Sequence, residues 1–367
     1  MKKASLLLVL ALCLAGIALP AEARQAIKSD NITKITALDL GWVSEIAFQG
    51  RYAFTIGEKL TVIDRKTMDV VSTFKCPGDF EGGEIESIKR GYIAVAGGGC
   101  GIDSGVFFVD VRDPHEPKIV STVTGVWSHT TTPFPGKPIL YVSPNGLIGD
   151  LEGGIEVIID ATNPRKPVVH EYLIGGLGCH DVGFSIREDR SLAACAGGSE
   201  TQIWDVEDPL APTLITRFPT PTFFNHSATF SPDGDLLVVG DEAHGVNSCS
   251  GTPTGSLWFY DVSNPLVPVL QGSYNIERGS AVSSFWTGGG WCTAHMYNFK
   301  PGTRTMATAW YQGGINVLDL EDPSSPTEIA YYLADDFNPW AAYFVGNEIW
   351  ASDYSTPGGV AVFEAKL

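Results

Sequence analysis

Residues 313–326 read GGINVLDLEDPSSP, and this stretch carries the pattern that decides the fold. Two glycines are followed by an apolar run rich in β-branched residues, which is typical of a buried strand. The run ends at Asp319, and an Asp-Pro pair and a second proline follow. Because proline fixes φ and has no backbone N–H to donate, the strand must end there in a turn.

The same strand-and-turn pattern recurs along the whole chain. The aspartate position is occupied in order by Asp64, Asp110, Asp160, Asp205, Asp261, Asp319 and Glu364. Successive positions are 45 to 58 residues apart, a period typical of β-propellers and solenoids. Two copies depart from the pattern: Arg65-Lys66-Thr67 replaces the Asp-Pro turn of the first, and the chain ends within the last.

Each repeat has the pattern of four short strands, and none shows helical periodicity over ten or more residues, so the predicted fold class is all-β. The last repeat stops after its third strand, while residues 32–40 form a lone strand near the N-terminus. A strand from one end of the chain that completes the last blade removes exposed sheet edges. The sequence therefore predicts a seven-bladed β-propeller of four-stranded antiparallel blades, with the ring closed by the N-terminal strand.

The first residues have the pattern of a secretory leader. Two lysines precede an apolar run from Leu6 to Leu19, and the small-x-small sequence AEA follows at residues 21–23. We interpret residues 1–23 as a cleaved signal peptide and residues 24–367 as one propeller domain. No later stretch approaches the roughly 18 apolar residues that a membrane span needs, so no transmembrane segment is predicted. The expected location is secreted, periplasmic or cell-surface.

The charge and the cysteines restrict the partners and the compartment. A formal net charge of −18 argues against nucleic acid and anionic membrane surfaces as partners, since both are bound by basic patches. Six cysteines lie beyond the leader, an even number that suggests disulfides in an exported chain. Pairing of neighbours along the sequence predicts the bonds Cys76–Cys100, Cys179–Cys195 and Cys249–Cys292. A thiolate metal ligand at Cys179 is the alternative.

Aligning the repeats also aligns the start of the first strand of each blade. This slot holds Ser44, Glu84, His129, His180, His226, His295 and Trp340 in blade order. The innermost strand of a blade lines the central channel, so the slot is expected near the channel mouth. Neutral imidazoles that converge with a carboxylate bind Zn, Cu, Mn or Fe. The predicted metal ligands are therefore His129, His180, His226, His295 and Glu84, the alternative being a structural layer of hydrogen-bonded histidines.

The loops between the second and third strands are expected to open on the same face as the histidine slot. In blade 5 this loop begins Asp241-Glu242-Ala243-His244, which makes Glu242 and His244 candidate catalytic residues above the channel. Blades 6 and 7 present Tyr311 and Tyr354 there, which are further candidate catalytic residues and suit stacking on a ligand. The alternatives are a polar surface loop and structural aromatic caps.

The repeat units resemble those of the LVIVD-repeat family of exported or cell-surface bacterial and archaeal proteins. The segments most similar to that family are NHSATFSPDGDLLVVGDE (225–242), CTAHMYNF (292–299) and AWYQGGINVLDLEDPSSPTEIAYY (309–332). The resemblance implies the propeller architecture and a surface location. It implies no reaction, because one fold hosts many functions.

Two functions remain open from the sequence. The first is a metal-dependent enzyme that acts on a small molecule or a saccharide at the channel mouth. The second is a non-catalytic cell-surface module that binds a protein or a glycan through the same face, with the histidines as structural filler. Convergence of the imidazoles on one point, within about 2–3 Å, separates the two hypotheses.

Overall fold

The computed structural model describes residues 26–74, 81–126, 128–143, 157–171, 179–242, 249, 253–279, 291–355 and 357–367. Within these ranges 29 strands form seven antiparallel sheets, which confirms the all-β, seven-bladed β-propeller. The proposed signal peptide, Cys76 and the catalytic candidate His244 lie outside the described residues.

The first three blades follow one another along the chain. Blade 1 contains β3 (Val43–Gln49), β4 (Tyr52–Gly57), β5 (Leu60–Asp64) and β6 (Asp69–Phe74). Blade 2 contains β7 (Glu81–Lys89), β8 (Tyr92–Gly99), β9 (Ile102–Asp110) and β10 (Lys118–Thr124). Blade 3 contains β11 (Thr130–Pro133), β12 (Ile139–Ser143), β13 (Val157–Asp160) and β14 (Val168–Glu171).

The remaining four blades complete the ring. Blade 4 contains β15 (Asp181–Ile186), β16 (Ser191–Ala196), β17 (Glu200–Asp205) and β18 (Thr213–Pro219). Blade 5 contains β19 (Asn225–Phe230), β20 (Leu236–Asp241), β21 (Leu257–Asp261) and β22 (Val269–Tyr274). Blade 6 contains β23 (Tyr297–Phe299), β24 (Thr305–Ala309), β25 (Ile315–Asp319) and β26 (Thr327–Leu333), with a 3₁₀ turn at Tyr311–Gly313. Blade 7 contains β27 (Pro339–Val345), β28 (Glu348–Asp353) and β29 (Gly359–Ala365).

The N-terminal strand closes the ring as predicted. Strand β2 (Ile32–Asp39) pairs antiparallel with β29 and supplies the fourth strand of blade 7. The short strand β1 (Ile27–Lys28) pairs with β26 and gives blade 6 a fifth strand, so four strands per blade does not hold there. The segment is held between the two blades because the Asn31 side chain donates to the carbonyl of Ile329, at 2.9 Å.

The recurring aspartates act as turn caps. In six blades the carboxylate accepts the amide of the residue two places later, at 2.8–3.1 Å: Asp64, Asp110, Asp160, Asp205, Asp261 and Asp319. The acid or amide before each proline repeats this geometry with the second residue after it, as Asp322 does with the amide of Ser324 at 3.0 Å. Such side-chain bonds stabilise the turn, which explains why the motif recurs in the sequence.

Apolar clusters lie between neighbouring blades. Seven clusters of buried side chains occur among the described residues, one for each of the seven contacts around the ring. Trp350 is fully buried between blades 7 and 1, and Trp310 is fully buried between blades 5 and 6. Because the sheets pack on both faces, strands inside a blade are buried along their whole length, as all five residues of LTVID in β5 are.

Two of the three expected disulfides lie among the described residues. Cys179 bonds to Cys195, and Cys249 bonds to Cys292. The alternative of Cys179 as a thiolate metal ligand is therefore wrong, because its sulfur is engaged. The expected partner of Cys100 is Cys76, which is not among the described residues.

No helix in the described part of the chain is long and apolar enough to cross a membrane.

Candidate metal centre

The residues of the histidine slot lie where the inner strands begin, and local irregularities direct several of them into the channel. His226 is the extra residue of a bulge in β19, since Asn225 pairs with Asp241 and Ser227 with Gly240. Trp340 occupies the same bulged position in β27. A bulge leaves its residue out of the ladder and turns its side chain relative to the strand. His129, His180 and His295 instead lie just before the first residues of their strands.

The four imidazoles form a continuous arc around the channel. Ring centroids are 4.7 Å apart for His129 and His180, 4.2 Å for His180 and His226, and 4.4 Å for His226 and His295. The arc continues to Trp340, whose ring lies 4.3 Å from that of His295. The predicted common layer of slot residues therefore exists over blades 3 to 7.

Glu242 lies against two of the four histidines. Its Oε2 is 3.5 Å from Nε2 of His226, and its Oε1 is 3.6 Å from Nε2 of His295. Among the described residues these three form the group whose ligand atoms all lie within 4.8 Å of one another, and all three are buried. His129 and His180 line the same arc but do not belong to this tight group.

The nitrogen–oxygen separations suit ligands of a common ion. They exceed the usual 2.7–3.2 Å of a hydrogen bond to oxygen. Two ligand atoms that each lie about 2.1 Å from a tetrahedral ion are roughly 3.4 Å apart. The observed separations of 3.5 and 3.6 Å are close to that value. The two separations involve different oxygens of Glu242, and the spacing of His226, His295 and Glu242 is compatible with one bound metal ion.

Backbone contacts orient two of the imidazoles. Nδ1 of His295 lies 2.7 Å from the carbonyl oxygen of Trp340, and Nδ1 of His180 lies 3.2 Å from that of His226. A carbonyl only accepts, so each Nδ1 carries a hydrogen, and in the neutral form of each ring Nε2 is then the nitrogen with the lone pair. Nε2 of His295 lies 3.6 Å from Oε1 of Glu242. Metal-binding histidines are commonly oriented by this kind of second contact.

Burial keeps the outer two histidines neutral. Desolvation lowers the pKa of His129 to about 4, with a smaller contribution from His295. Desolvation, followed by the neighbouring His226 and His129, holds the pKa of His180 well below its ordinary value. Neutral imidazoles are the form that binds metals or accepts a proton.

Asp241 fixes the position of Glu242. Its Oδ1 accepts the amides of Phe223 and Phe224 at 2.9 and 2.8 Å, and its Oδ2 accepts the amide of Gly255 at 2.9 Å. The side chain thereby connects the entry to β19, which contains His226, with the end of β20, which Glu242 directly follows. The amide of Glu242 completes the arrangement by donating to the carbonyl of Phe224, at 3.0 Å.

Glu84 takes part in a different constellation. Its Oε2 accepts the amide of Thr131, at 2.9 Å. Desolvation, followed by Asp181 and Glu45, holds its pKa well above the ordinary value. The structure does not bring Glu84 into the group around Glu242, although its backbone occupies the slot predicted for it.

The carboxylates near Glu84 form an acidic layer, which we define as Glu45, Glu84, Glu86 and Asp181. Burial raises the pKa of Glu45 to about 8 and that of Asp181 to about 6. Burial and the charge of Glu45 raise the pKa of Glu86 well above normal. The hydroxyl of Tyr343 donates to Glu45, at 3.0 Å. The sequence analysis did not predict this layer because, of its four members, only Glu84 occupies the histidine slot. Glu45 and Asp181 each come one residue after the slot residue of their own blade.

The two tyrosine candidates lie on the aromatic side of the mouth. The hydroxyl of Tyr311 donates to Oε1 of Glu242, at 2.7 Å. Tyr354 packs between Trp340 and Trp42, with ring centroids 4.6 and 5.3 Å away. Both tyrosines are buried, and desolvation followed by Glu242 raises the pKa of each. Tyr311 therefore contacts the group around Glu242 directly, whereas Tyr354 forms part of an aromatic wall.

The comparisons with known proteins agree with the repeat. Residues 254–276 match the family model of the LVIVD repeat. This segment holds β21, the Asn-Pro turn and β22 of blade 5, which directly follow the loop that begins at Glu242. A search of curated proteins found no match. The resemblance expected from the sequence is thus confirmed at the level of the repeat.

Proposed function

For this β-propeller with an LVIVD repeat, we propose that the channel mouth is a metal centre with His226, His295 and Glu242 as ligands. The observation that carries the proposal is the spacing of the three ligand atoms, all within 4.8 Å of one another around a buried point. The orientation of His295 by the carbonyl of Trp340 adds to it. His129 and His180 complete the arc beside the centre and are proposed to contact the bound ligand or an additional coordination position.

Two histidines and one carboxylate are a donor set with known preferences. The set is used for catalytic zinc and for non-haem Fe(II), and both leave coordination positions open for other ligands. We therefore propose zinc or iron ahead of manganese or copper. A metal ion bound there would supply Lewis-acid or redox chemistry to a small molecule in the channel mouth.

The chain's own residues would then bind and orient the substrate. Trp340, partly exposed and adjacent to His295, offers a ring face next to the centre. His129, whose pKa burial lowers to about 4, would present an uncharged imidazole to a bound molecule at neutral pH. The proposed function is therefore a metal-dependent enzyme that acts on a small molecule or a saccharide. The two disulfides agree with an exported protein, since such bonds persist in oxidising compartments.

Metal titration tests the proposal. The protein is purified without a histidine tag, stripped with a chelator and titrated with Zn²⁺, Mn²⁺, Cu²⁺ and, under anaerobic conditions, Fe²⁺ by calorimetry. One ion per chain is expected to bind, and His226→Ala and His295→Ala should each weaken binding more than 100-fold. The control is His115→Ala, because His115 is exposed in a turn. Binding that survives both site variants would refute the assignment.

A non-catalytic surface module is the second candidate, favoured by one observation. Blade 5 exposes a run of apolar side chains in its turn and outer strand, including Leu266 at 65% and Val267 at 61%. Exposed apolar patches are commonly contact surfaces for proteins. If this surface is the functional one, the double variant Leu266→Ser, Val267→Ser abolishes self-association of the chain in sedimentation experiments. The metal-site variants leave self-association unchanged.

A further inference from the structure

Tyr311 combines a buried polar group with an unusual backbone conformation. Its side chain is 1% exposed, and its hydroxyl makes a 2.7 Å hydrogen bond to Glu242. Its φ is +45°, in the left-handed region that bulky residues rarely adopt. Residues held in such a conformation persist only where the surroundings enforce it, and they cluster at functional sites.

The turn around Tyr311 leaves little freedom to relax. The amide of Gly314 donates to the carbonyl of Tyr311 at 2.8 Å, and the amide of Gly313 donates to that of Trp310 at 2.7 Å. A Cβ on Gly314 would lie 2.1 Å from the carbonyl oxygen of Tyr332, so only glycine fits there. The turn, which joins β24 to β25, is therefore tightly packed against β26 and fixes the position of the phenol.

The phenol contacts two of the three proposed ligands. Its hydroxyl bonds Oε1 of Glu242, while its ring lies 4.9 Å from the ring of His295. Trp291 also packs against the phenol, at 5.5 Å between centroids in a T-shaped contact. Blade 6 thus reaches across to a carboxylate that belongs to blade 5.

We propose that Tyr311 is a positioning residue that holds Glu242 as a ligand through one oxygen. This inference rests on the proposed metal centre. The phenol occupies a lone pair of Oε1, which leaves Oε2, 3.5 Å from Nε2 of His226, as the oxygen best placed to face an ion. A carboxylate that binds through one oxygen occupies one coordination position instead of two. Tyr311 thereby keeps a position open for substrate.

The test compares Tyr311→Phe with a matched control. The control is Tyr274→Phe, which removes a half-buried hydrogen bond from a tyrosine to a glutamate, Glu328, at 2.8 Å, away from the proposed centre. Affinity for Zn²⁺ is measured by calorimetry, and the coordination of bound Co²⁺ is measured by X-ray absorption and visible spectra. Tyr311→Phe is expected to weaken Zn²⁺ binding about 10- to 100-fold, the usual effect of losing an outer contact of a ligand. The Co²⁺ coordination number should rise, while Tyr274→Phe should match the parent protein in both measurements.

A second variant keeps the test decisive if Tyr311→Phe folds poorly. Tyr311→Gly suits a positive φ and removes the phenol, and addition of p-cresol should restore Zn²⁺ affinity where toluene does not. Unchanged affinity and spectra in Tyr311→Phe, or equal rescue by toluene and p-cresol, would overturn the positioning role alone. Failure of the unaltered protein to bind metal would overturn the metal centre and this inference with it.

Discussion

Replacing Glu45 by glutamine should flatten the pH dependence of folding stability in the metal-free protein. Glu45 is 2% exposed, and burial raises its pKa from 4.5 to about 8. Between these values the native state keeps a proton that the unfolded chain has released. The native state therefore binds more protons, and stability falls as pH rises through this window.

The magnitude follows from the same pKa shift. One group that is protonated only in the native state changes the free energy of unfolding by about 1.4 kcal/mol per pH unit. His129 contributes in the opposite direction, because its pKa is lowered from 6.5 to about 4 and its stabilising effect is complete above pH 6.5. The range from pH 6.5 to 8 therefore isolates the carboxylates. Over that range Glu45 should account for roughly 2 kcal/mol.

The assay is urea unfolding of the two proteins at four pH values from 6.5 to 8, in the presence of a chelator. The unaltered protein should lose stability across the range, and Glu45→Gln should lose about 2 kcal/mol less. Glu116→Gln is the surface control, since that side chain is 69% exposed. Parallel pH profiles for the unaltered protein and Glu45→Gln would show that Glu45 is ionised in the native state, contrary to this reasoning.

Further predictions concern the crosslinks and the ring closure. Cys249 and Cys292 are 43 residues apart and Cys179 and Cys195 are 16 apart, so replacing each pair by serine should cost about 4 and about 3 kcal/mol in denaturant unfolding. Equal losses for the two pairs would argue against an effect of loop length. Deletion of residues 26–39 removes the strand that pairs with β29, and the exposed edge should cause aggregation, measured by light scattering. A shortened chain that stays monomeric with an unchanged melting temperature would contradict the closure.

The sequence was sufficient for the architecture because the turn chemistry is repeated. Asp319 and its counterparts make the same carboxylate-to-amide contact in six blades, so the motif marks these blades in the sequence. The lone strand at residues 32–40 was interpretable because blade 7 lacked a partner for β29. The fifth strand of blade 6 was not predicted, since Ile27 and Lys28 have no pattern of their own.

The candidate site was predictable only in part. The repeat register brought His226 and His295 into one layer, and the loop position suggested Glu242 as a nearby carboxylate. Which carboxylate meets the histidines depends on side-chain direction, and that direction is set by the anchoring of Asp241 and by the bulge at His226. Neither is encoded by the spacing of the repeats. For the same reason the sequence placed Glu84 with the histidines, whereas its side chain turns to Thr131.

The most direct test of the central claim is a crystal structure of the protein with Zn²⁺ added, with anomalous data collected on both sides of the zinc absorption edge. The proposed metal centre predicts one anomalous peak per chain at the channel mouth, about 2.0–2.2 Å from Nε2 of His226, Nε2 of His295 and an oxygen of Glu242. The absence of a peak at the channel mouth in crystals saturated with Zn²⁺, or a peak bound by the acidic layer at Glu84 instead, would contradict it.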